Sequence, residues 1–388
     1  MTGPIVGVVG GGQLARMLAE AATPLGVHVR VLAGAQDEGA AEVVPDTVTG
    51  SPHDADALRA FAATVDVVTF DHENVDHDAL VALESAGVAV RPSVDTLAFS
   101  DKAHQRRAFA AAGLPVPDFV VVDGGPEGAA SACSFADRHG GRVVAKASRG
   151  GYDGRGVWML DGADLSGFVG DWRGAPLVIE PRLELSTEVA VLVARRPSGE
   201  VATWPLVETV QVDGMCDEVI LPAPVTPAVA ARAREIAREV AGTTGAVGVI
   251  AIELFVIGDE VLINEIAPRV HNSGHLTIEG CTTSQFEQHL RAVLDWPLGP
   301  TEPIAAVAVM VNVVGGATGD PRERQAAMLA SVPEAHLHLY GKTSRPARKI
   351  GHVTVLGHDV GTARRRARLA ADLLAGAPTD EGMEGSPT

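Results

Sequence analysis

Lysine, tyrosine and cysteine are scarce in this 388-residue sequence. Three cysteines, Cys133, Cys216 and Cys281, stand far apart. They suggest neither a disulfide framework nor a zinc site, and a reducing, cytoplasmic compartment fits them. Positive charge is also short. The chain carries 31 basic against 49 acidic residues, a net charge of −18. That excess argues against nucleic acid or an anionic membrane as the main partner. No apolar run approaches the ~20 residues of a membrane span. The opening MTGPIVGVVGGGQ has no basic segment and enters a strand at once, so no signal peptide is expected. What remains is 46% hydrophobic and 21% charged, which suits a globular chain of two or three domains. Arginine is the default cation. Only Lys102, Lys146, Lys342 and Lys349 are lysines, and only Tyr152 and Tyr340 are tyrosines. Three of these lysines and both tyrosines fall in the candidate sites described next.

The most informative stretch is Val249–His275, VIAIELFVIGDEVLINEIAPRVHNSGH. Two apolar runs, Ile250–Val256 and Val261–Ile266, flank the turn signal Gly258-Asp259 and predict a β-hairpin. A three-residue loop, Gly258–Glu260, would set Glu253 directly opposite Glu265. Opposed like charges are destabilising and need a counter-charge. A hard divalent cation such as Mg²⁺, held by one or two carboxylates plus substrate phosphates, is the simplest one. A slipped register that turns one glutamate to solvent is the alternative.

Upstream, Ile5–Val9 reads as a strand, Gln13–Ala22 as a helix and Val27–Leu32 as a strand. Gly10-Gly11-Gly12 lies between the first two. Such a unit can hold an anion at the helix N-terminus. Gly10-x-Gly12-x-x-Ala15 also fits a loose dinucleotide fingerprint, but no acid closes the second strand, the nearest being Asp37. Asp54–Thr64 and Asp76–Ala86 read as helices, Val65–Phe70 and Val88–Val90 as strands. Asp71-His72-Glu73-Asn74 then sits at a strand's carboxyl end, where open α/β sheets bind ligands. Pro92 and Ser93 lead into a single helix through Ala112, ended by Gly113 and Pro115. A domain boundary is expected there.

A smaller unit follows. Ser131–His139 reads as a helix, and Arg142–Ala147 and Val157–Leu160 as strands. Four glycines in seven residues (Gly150, Gly151, Gly154 and Gly156) make the connection between them a flexible hairpin able to approach phosphate. Leu177–Glu180, Glu188–Val193 and Ala305–Val313 are further strands. Thr226 caps a helix reaching Ala241, Ser284-x-x-Glu287 opens another, and Gly361–Leu374 is the last. Tyr340–Gly351, YGKTSRPARKIG, holds Lys342, Arg345, Arg348 and Lys349 without an acid. In an acidic chain that cluster points to an anionic ligand. The tail from Thr379 has the composition of a disordered segment.

Lys146, the glycine hairpin, Glu180-Pro181-Arg182-Leu183, Glu188, Glu253 and Asn264-Glu265 come in the order of the ATP-grasp fold. The runs GGGQLARML, FDHENV, SRGGYDGRG, NEIAPRVHNSGH and YGKTSRPARKIGH are more specific. From Gly10 to His352 the chain resembles the N5-carboxyaminoimidazole ribonucleotide synthetase family. Ala15 stands where that family commonly has Gly, Asp71 where Glu is common, and Gln211 where many members carry His.

The resemblance implies an α/β and α+β architecture with four parts. A Rossmann-like pre-ATP-grasp domain would span 1–100, a small lobe with a glycine-rich lid 101–178, and a large lobe plus C-terminal region 179–378. A disordered tail would fill 379–388. It implies a homodimeric ligase of purine biosynthesis that acts on small molecules, ATP, bicarbonate and 5-aminoimidazole ribonucleotide, with Mg²⁺. Bicarbonate would be phosphorylated to carboxyphosphate, then the 5-amino group carboxylated. A formate-dependent glycinamide ribonucleotide transformylase is the nearest alternative among ligases. An oxidoreductase built on the N-terminal unit leaves the carboxylate hairpin and the glycine loop unexplained.

By the same resemblance, Lys102 and Lys146 would contact ATP phosphates. Gly151, Tyr152, Asp153, Gly154, Arg155 and Gly156 would close over them. Glu180, Pro181, Arg182 and Leu183 would hold adenine, Glu188 the ribose, and Gln211 would complete the nucleotide site. Glu253 and Glu265 would ligate Mg²⁺ with Asn264 assisting. Arg269, His271 and Asn272 would surround bicarbonate, joined by Tyr152 and Arg155. Gln13, Leu14 and Glu73 would line the aminoimidazole site. Lys342, Arg345, Arg348 and Lys349 would take its phosphate, with Lys342 also catalytic.

Overall fold

The computed structural model describes residues 3–34, 39–151, 155–316 and 319–376, so Asp37 and the tail from Thr379 lie outside the described residues. The first sheet is parallel, in the order Thr47–Thr49, His28–Ala33, Ile5–Val9, Val67–Phe70. The expected strand Val88–Val90 shrinks to a single bridge between Val68 and Val90. Thr47–Thr49, too short and polar to signal itself, forms the edge.

The first helix, Gln13–Leu25, runs past Ala22 to Gly26, whose φ of +66° ends it. Its N-terminus is already filled. The Asp71 carboxylate accepts the N–H groups of Gly12 at 2.7 Å and Ala15 at 3.1 Å. A Cβ on Gly12 would lie 2.3 Å from Asp71 Oδ2. The glycines therefore admit this chain's own carboxylate where a dinucleotide fold would seat a pyrophosphate. Asp71→Ala is expected to cost about 0.5–2 kcal/mol of stability, the usual range for a lost helix cap. Urea denaturation checks this, and an unchanged midpoint would refute it.

The helix expected from Ser93 to Ala112 is broken. Val94–Leu97 and a 3₁₀ turn at Ala98–Ser100 precede a new helix, Lys102–Ala111. Asp101 causes the break. In an extended conformation, it accepts the N–H groups of Ala103 and His104 and so starts a helix of its own. Lys102 thereby becomes the first residue of that helix.

The second sheet is antiparallel, in the order Val120–Val122, Leu177–Pro181, Arg142–Ala147, Val157–Asp161. It runs past the boundary expected at residue 178. Helices Pro126–Arg138 and Gly162–Asp171 cover it around Phe135, Val143, Leu165 and Val169. The first starts ahead of Ser131 because Pro126 is its natural first residue. The second, interrupted by Gly167 and Gly170, gave no helical signal.

The third sheet has nine strands. Its main path is Glu260–Ala267, Gly248–Ile257, Thr187–Arg195, Val207–Val212, Met215–Leu221, Val307–Val314, Lys349–Gly357, His336–Leu339, with Val201–Thr203 added beside Thr187–Arg195. Helix Pro227–Thr244 packs Ile236 and Val240 against Ile250 and Ile252, and helix Val360–Ala375 covers the strands nearer the other end. One continuous sheet thus carries the carboxylate hairpin at one edge and the start of Lys349–Gly357 near the other. Among the described residues no helix is long and apolar enough to cross a membrane.

Candidate active site

Glu253 and Glu265 do stand opposite each other, though not by the expected route. Ile257 pairs with Glu260, so the loop is only Gly258-Asp259, with Gly258 at φ +60° as a two-residue hairpin requires. That loop alone would pair Glu253 with Asn264. A β-bulge intervenes. Leu254 pairs with Ile263 and Glu253 with Glu265, leaving Asn264 as the extra residue. Without a bulge, neighbouring residues face opposite sides of a sheet. Here Asn264 and Glu265 both line one cavity.

That cavity, about 690 Å³, lies between the second and third sheets. Its deepest polar group is an ion triad. Glu180 takes Arg106 Nε at 2.5 Å on one oxygen and Lys146 Nζ at 2.8 Å on the other. Arg106 and Glu180 are each 2% exposed and Lys146 7%. Burial alone would raise the Glu180 carboxyl, but Lys146 and Arg106 outweigh it and hold it below the ordinary value. Burial pushes the Lys146 ammonium down, against the pull of Glu180. Lys146 also donates to Asn264 Oδ1 at 2.9 Å and lies 5.5 Å from the Phe255 ring centroid.

The two hairpin carboxylates are unequal. Glu265 is paired with Lys102, which outweighs burial and keeps it ionised. Glu253 is raised by burial, then by Glu265 and Glu188. His271 Nε2 lies 3.6 Å from its Oε1. Ser273 N–H points at His271 Nδ1, 3.3 Å away, so that nitrogen is the acceptor and the neutral ring carries its hydrogen on Nε2. Burial, Arg269 and Lys349 push His271 down to about 4, so it is neutral at physiological pH. Among the described residues no three His, Cys, Asp or Glu side chains converge on a ready metal cage. Two opposed carboxylates, one lacking its own cation, fit an ion that takes its remaining ligands from phosphate and water.

Pro181, Arg182, Leu183, Glu188 and Gln211 line the same cavity, as do His271 and Asn272. Lys349 lines it too, apart from the loop residues with which sequence groups it. Lys342 donates to Gln13 Oε1 and, with Thr343 and Ser344, borders a second cavity of about 410 Å³. Arg345 is exposed, and Arg348 donates to the Thr343 carbonyl at 3.3 Å. Glu73 is bonded to Arg269 at 2.9 Å, which ties the first sheet's loop to the end of the carboxylate hairpin. Leu14 is 5% exposed and its side chain belongs to the hydrophobic core. Gly151, Arg155 and Gly156 end the glycine connection, while Tyr152, Asp153 and Gly154 lie outside the described residues.

Sequence reasoning missed Arg106, Phe255 and Asn312. Asn312, 1% exposed, exchanges amide hydrogen bonds of 2.9 Å with Asn272 and donates to the Cys216 carbonyl. A lone amide inside the apolar run Val307–Val314 was a usable signal. Arg106 offered none, since arginine is common here and its partner is 74 residues away.

Three family models match successive parts of the chain. These are the ribonucleotide synthetase preATP-grasp domain over 4–101, the ATP-grasp domain over 107–286, and the phosphoribosylaminoimidazole carboxylase C-terminal domain over 308–366. Together with the cavity between two sheets, they define an ATP-grasp protein. An N5-carboxyaminoimidazole ribonucleotide synthase of Mycobacterium tuberculosis is 46% identical over 390 residues, covering 98% of this chain and 90% of the relative. The carboxyaminoimidazole ribonucleotide synthase of Aspergillus clavatus complexed with ATP superposes with a TM-score of 0.88 at 34% identity, covering 97% of this chain and 100% of that one. A complex of the Aspergillus clavatus enzyme with ADP and 5-aminoimidazole ribonucleotide gives 0.86 at 33%, covering 96% and 99%. The chain belongs to the N5-carboxyaminoimidazole ribonucleotide synthase family.

Proposed function

We propose that this chain carboxylates the 5-amino group of 5-aminoimidazole ribonucleotide, using ATP and bicarbonate, in purine biosynthesis. A bicarbonate oxygen attacks the γ-phosphorus and ADP leaves. The resulting carboxyphosphate releases phosphate, and its carbon is taken by the amino nitrogen, which loses a proton. Such a sequence depends on positioning and charge stabilisation. The observation that carries this reading is the 2.9 Å pair between Arg269 and Glu73. It ties the Glu73 loop of the first sheet to the end of the carboxylate hairpin, two residues from His271 on the cavity wall.

Lys102, Lys146 and the residues flanking the glycine loop face the ATP phosphates in this reading. The segment Glu180–Leu183 faces adenine and Glu188 the ribose. Glu253 and Glu265 would hold Mg²⁺, which supplies charge neutralisation on the phosphates. His271 offers its Nε2–H, and Arg269 and Asn272 their side chains, to the bicarbonate oxygens. Lys349 stands on that wall as well. Gln13, Glu73 and Lys342 orient the ribonucleotide, with Arg345 and Arg348 at its phosphate. The scarcity of cysteine, three in 388 residues, supports a cytoplasmic setting.

The decisive assay is ADP release with bicarbonate, with and without 5-aminoimidazole ribonucleotide. Carboxylated product should form only with all three substrates. NAD-linked absorbance change without ATP would refute the reading. For the phosphate assignment, losing one charge-assisted hydrogen bond costs about 1.5–3 kcal/mol, a factor of roughly ten to one hundred. Arg348→Ala should weaken ribonucleotide binding by about that factor and leave ATP binding little changed. Calorimetric titration of both ligands decides it. An equal loss for both, or for neither, would remove Arg348 from the ribonucleotide site.

A further inference from the structure

Gln285 is fully buried at the start of helix Gln285–Val293. Its amide holds both backbone groups of His271. Oε1 accepts the His271 N–H at 2.8 Å, and Nε2 donates to the His271 carbonyl at 2.7 Å. Nε2 also lies 3.1 Å from His275 Nδ1. Exchanging the amide's oxygen and nitrogen would set donor against donor at the His271 N–H, so only one orientation fits. The contact does for His271 what a paired strand residue does in a sheet. The surroundings are shaped to it: a Cβ on Gly274 would fall 2.4 Å from Gln285 Oε1.

The residue so held presents Nε2–H toward Glu253, and Asn272 follows it on the cavity wall. We propose that Gln285 is a positioning residue for the bicarbonate step, fixing the His271–Asn272 backbone so that both side chains face the reacting oxygens. This rests on the reading of His271 as a bicarbonate residue. The bland account is that Gln285 is one more buried amide that holds the fold together.

The same helix supplies a matched control. Gln288, also fully buried, clasps Gly299 in the same manner. Its Nε2 donates to the Gly299 carbonyl at 2.7 Å and its Oε1 accepts the Gly299 N–H at 2.8 Å. Gly299 does not line the nucleotide cavity. Gln285→Met and Gln288→Met each remove the acceptor of one backbone N–H and the donor to one carbonyl, and Gln285→Met also loses the His275 contact, so its structural cost should equal or slightly exceed that of the control. Misplacement near 1 Å at a reacting group can cost about 100-fold.

The experiment compares both variants with His271→Ala for denaturation midpoint, KM for bicarbonate, KM for ATP and carboxylated product per ADP. The expected result is a Gln285→Met midpoint equal to or slightly below that of Gln288→Met. Only Gln285→Met should raise KM for bicarbonate, by roughly ten- to 100-fold, and lower product per ADP, with KM for ATP little changed. If Gln285→Met behaves like Gln288→Met while His271→Ala impairs bicarbonate use, the positioning role is overturned. If His271→Ala leaves bicarbonate use intact, the proposal falls with the reading beneath it. Should Gln285→Met not fold, Gln285→Asn, whose amide falls one methylene short of His271, is judged by the same outcomes.

Discussion

Glu265→Gln is expected to lower ATP turnover by about 100- to 1,000-fold or more while leaving the fold intact. Two losses combine. On the proposed assignment the carboxylate opposite Glu253 no longer offers a charged ligand to Mg²⁺, and Lys102 loses its ion-pair partner. Removing one electrostatic stabiliser at a reacting centre typically costs about 100- to 1,000-fold, and the Lys102 pair, in which Glu265 is more than a third exposed, adds little to that. ADP release measured across a Mg²⁺ titration tests the assignment. Turnover at the unsubstituted level at ordinary Mg²⁺ would end it. Partial recovery at high Mg²⁺ would agree with it, because one carboxylate and the phosphates would still bind the ion weakly.

Arg106→Met should produce the second large effect, on stability and on nucleotide binding together. Glu180 would keep Lys146 alone, in a site where burial opposes its charge. The expected loss is about 1.5–3 kcal/mol, that of one charge-assisted hydrogen bond, because Lys146 still compensates Glu180. Urea unfolding followed by tryptophan fluorescence reports on it, since Trp158 and Trp172 pack in the same sheet-and-helix unit as Glu180's strand. Adding Glu180→Gln should lower stability further, because Lys146 would then be a buried ammonium without its carboxylate. It should not recover ATP affinity. If Arg106→Met unfolds at the same urea concentration as the parent chain, the triad is not the anchor inferred from its burial.

These two residues differ in how far the sequence reveals them. Glu265 is visible because an acid inside the apolar run Val261–Ile266 is out of place, and a turn signal locates its partner strand. Arg106 sits among arginines on a polar helix, and only the packing of that helix against Leu177–Pro181 tells it from its neighbours. The broken helix at Asp101 was hidden for a related reason. A capping residue inside a helix-like run looks like a surface acid until its backbone leaves the helix. Lys349 belongs by composition to the basic loop, but it opens a strand, and the strand's direction puts it on the nucleotide wall. Short-range periodicity therefore recovered most strands and helices. Contacts between distant elements, which complete the cavity, have no local signature.

The bulge at Asn264 has an evolutionary corollary. Turn length and bulge act as two offsets whose sum decides which carboxylates meet. A relative with one more turn residue and no bulge would align Glu253 with Glu265 equally well, and a comparison of the acids alone would find nothing changed. Its residue before the second glutamate would alternate to the opposite face and lose the Lys146 contact that Asn264 makes here. An insertion at a hairpin tip is ordinarily a neutral event at the surface. In this hairpin, an insertion at the tip matched by a deletion at residue 264 would keep the acids opposed and lose the amide that Lys146 meets.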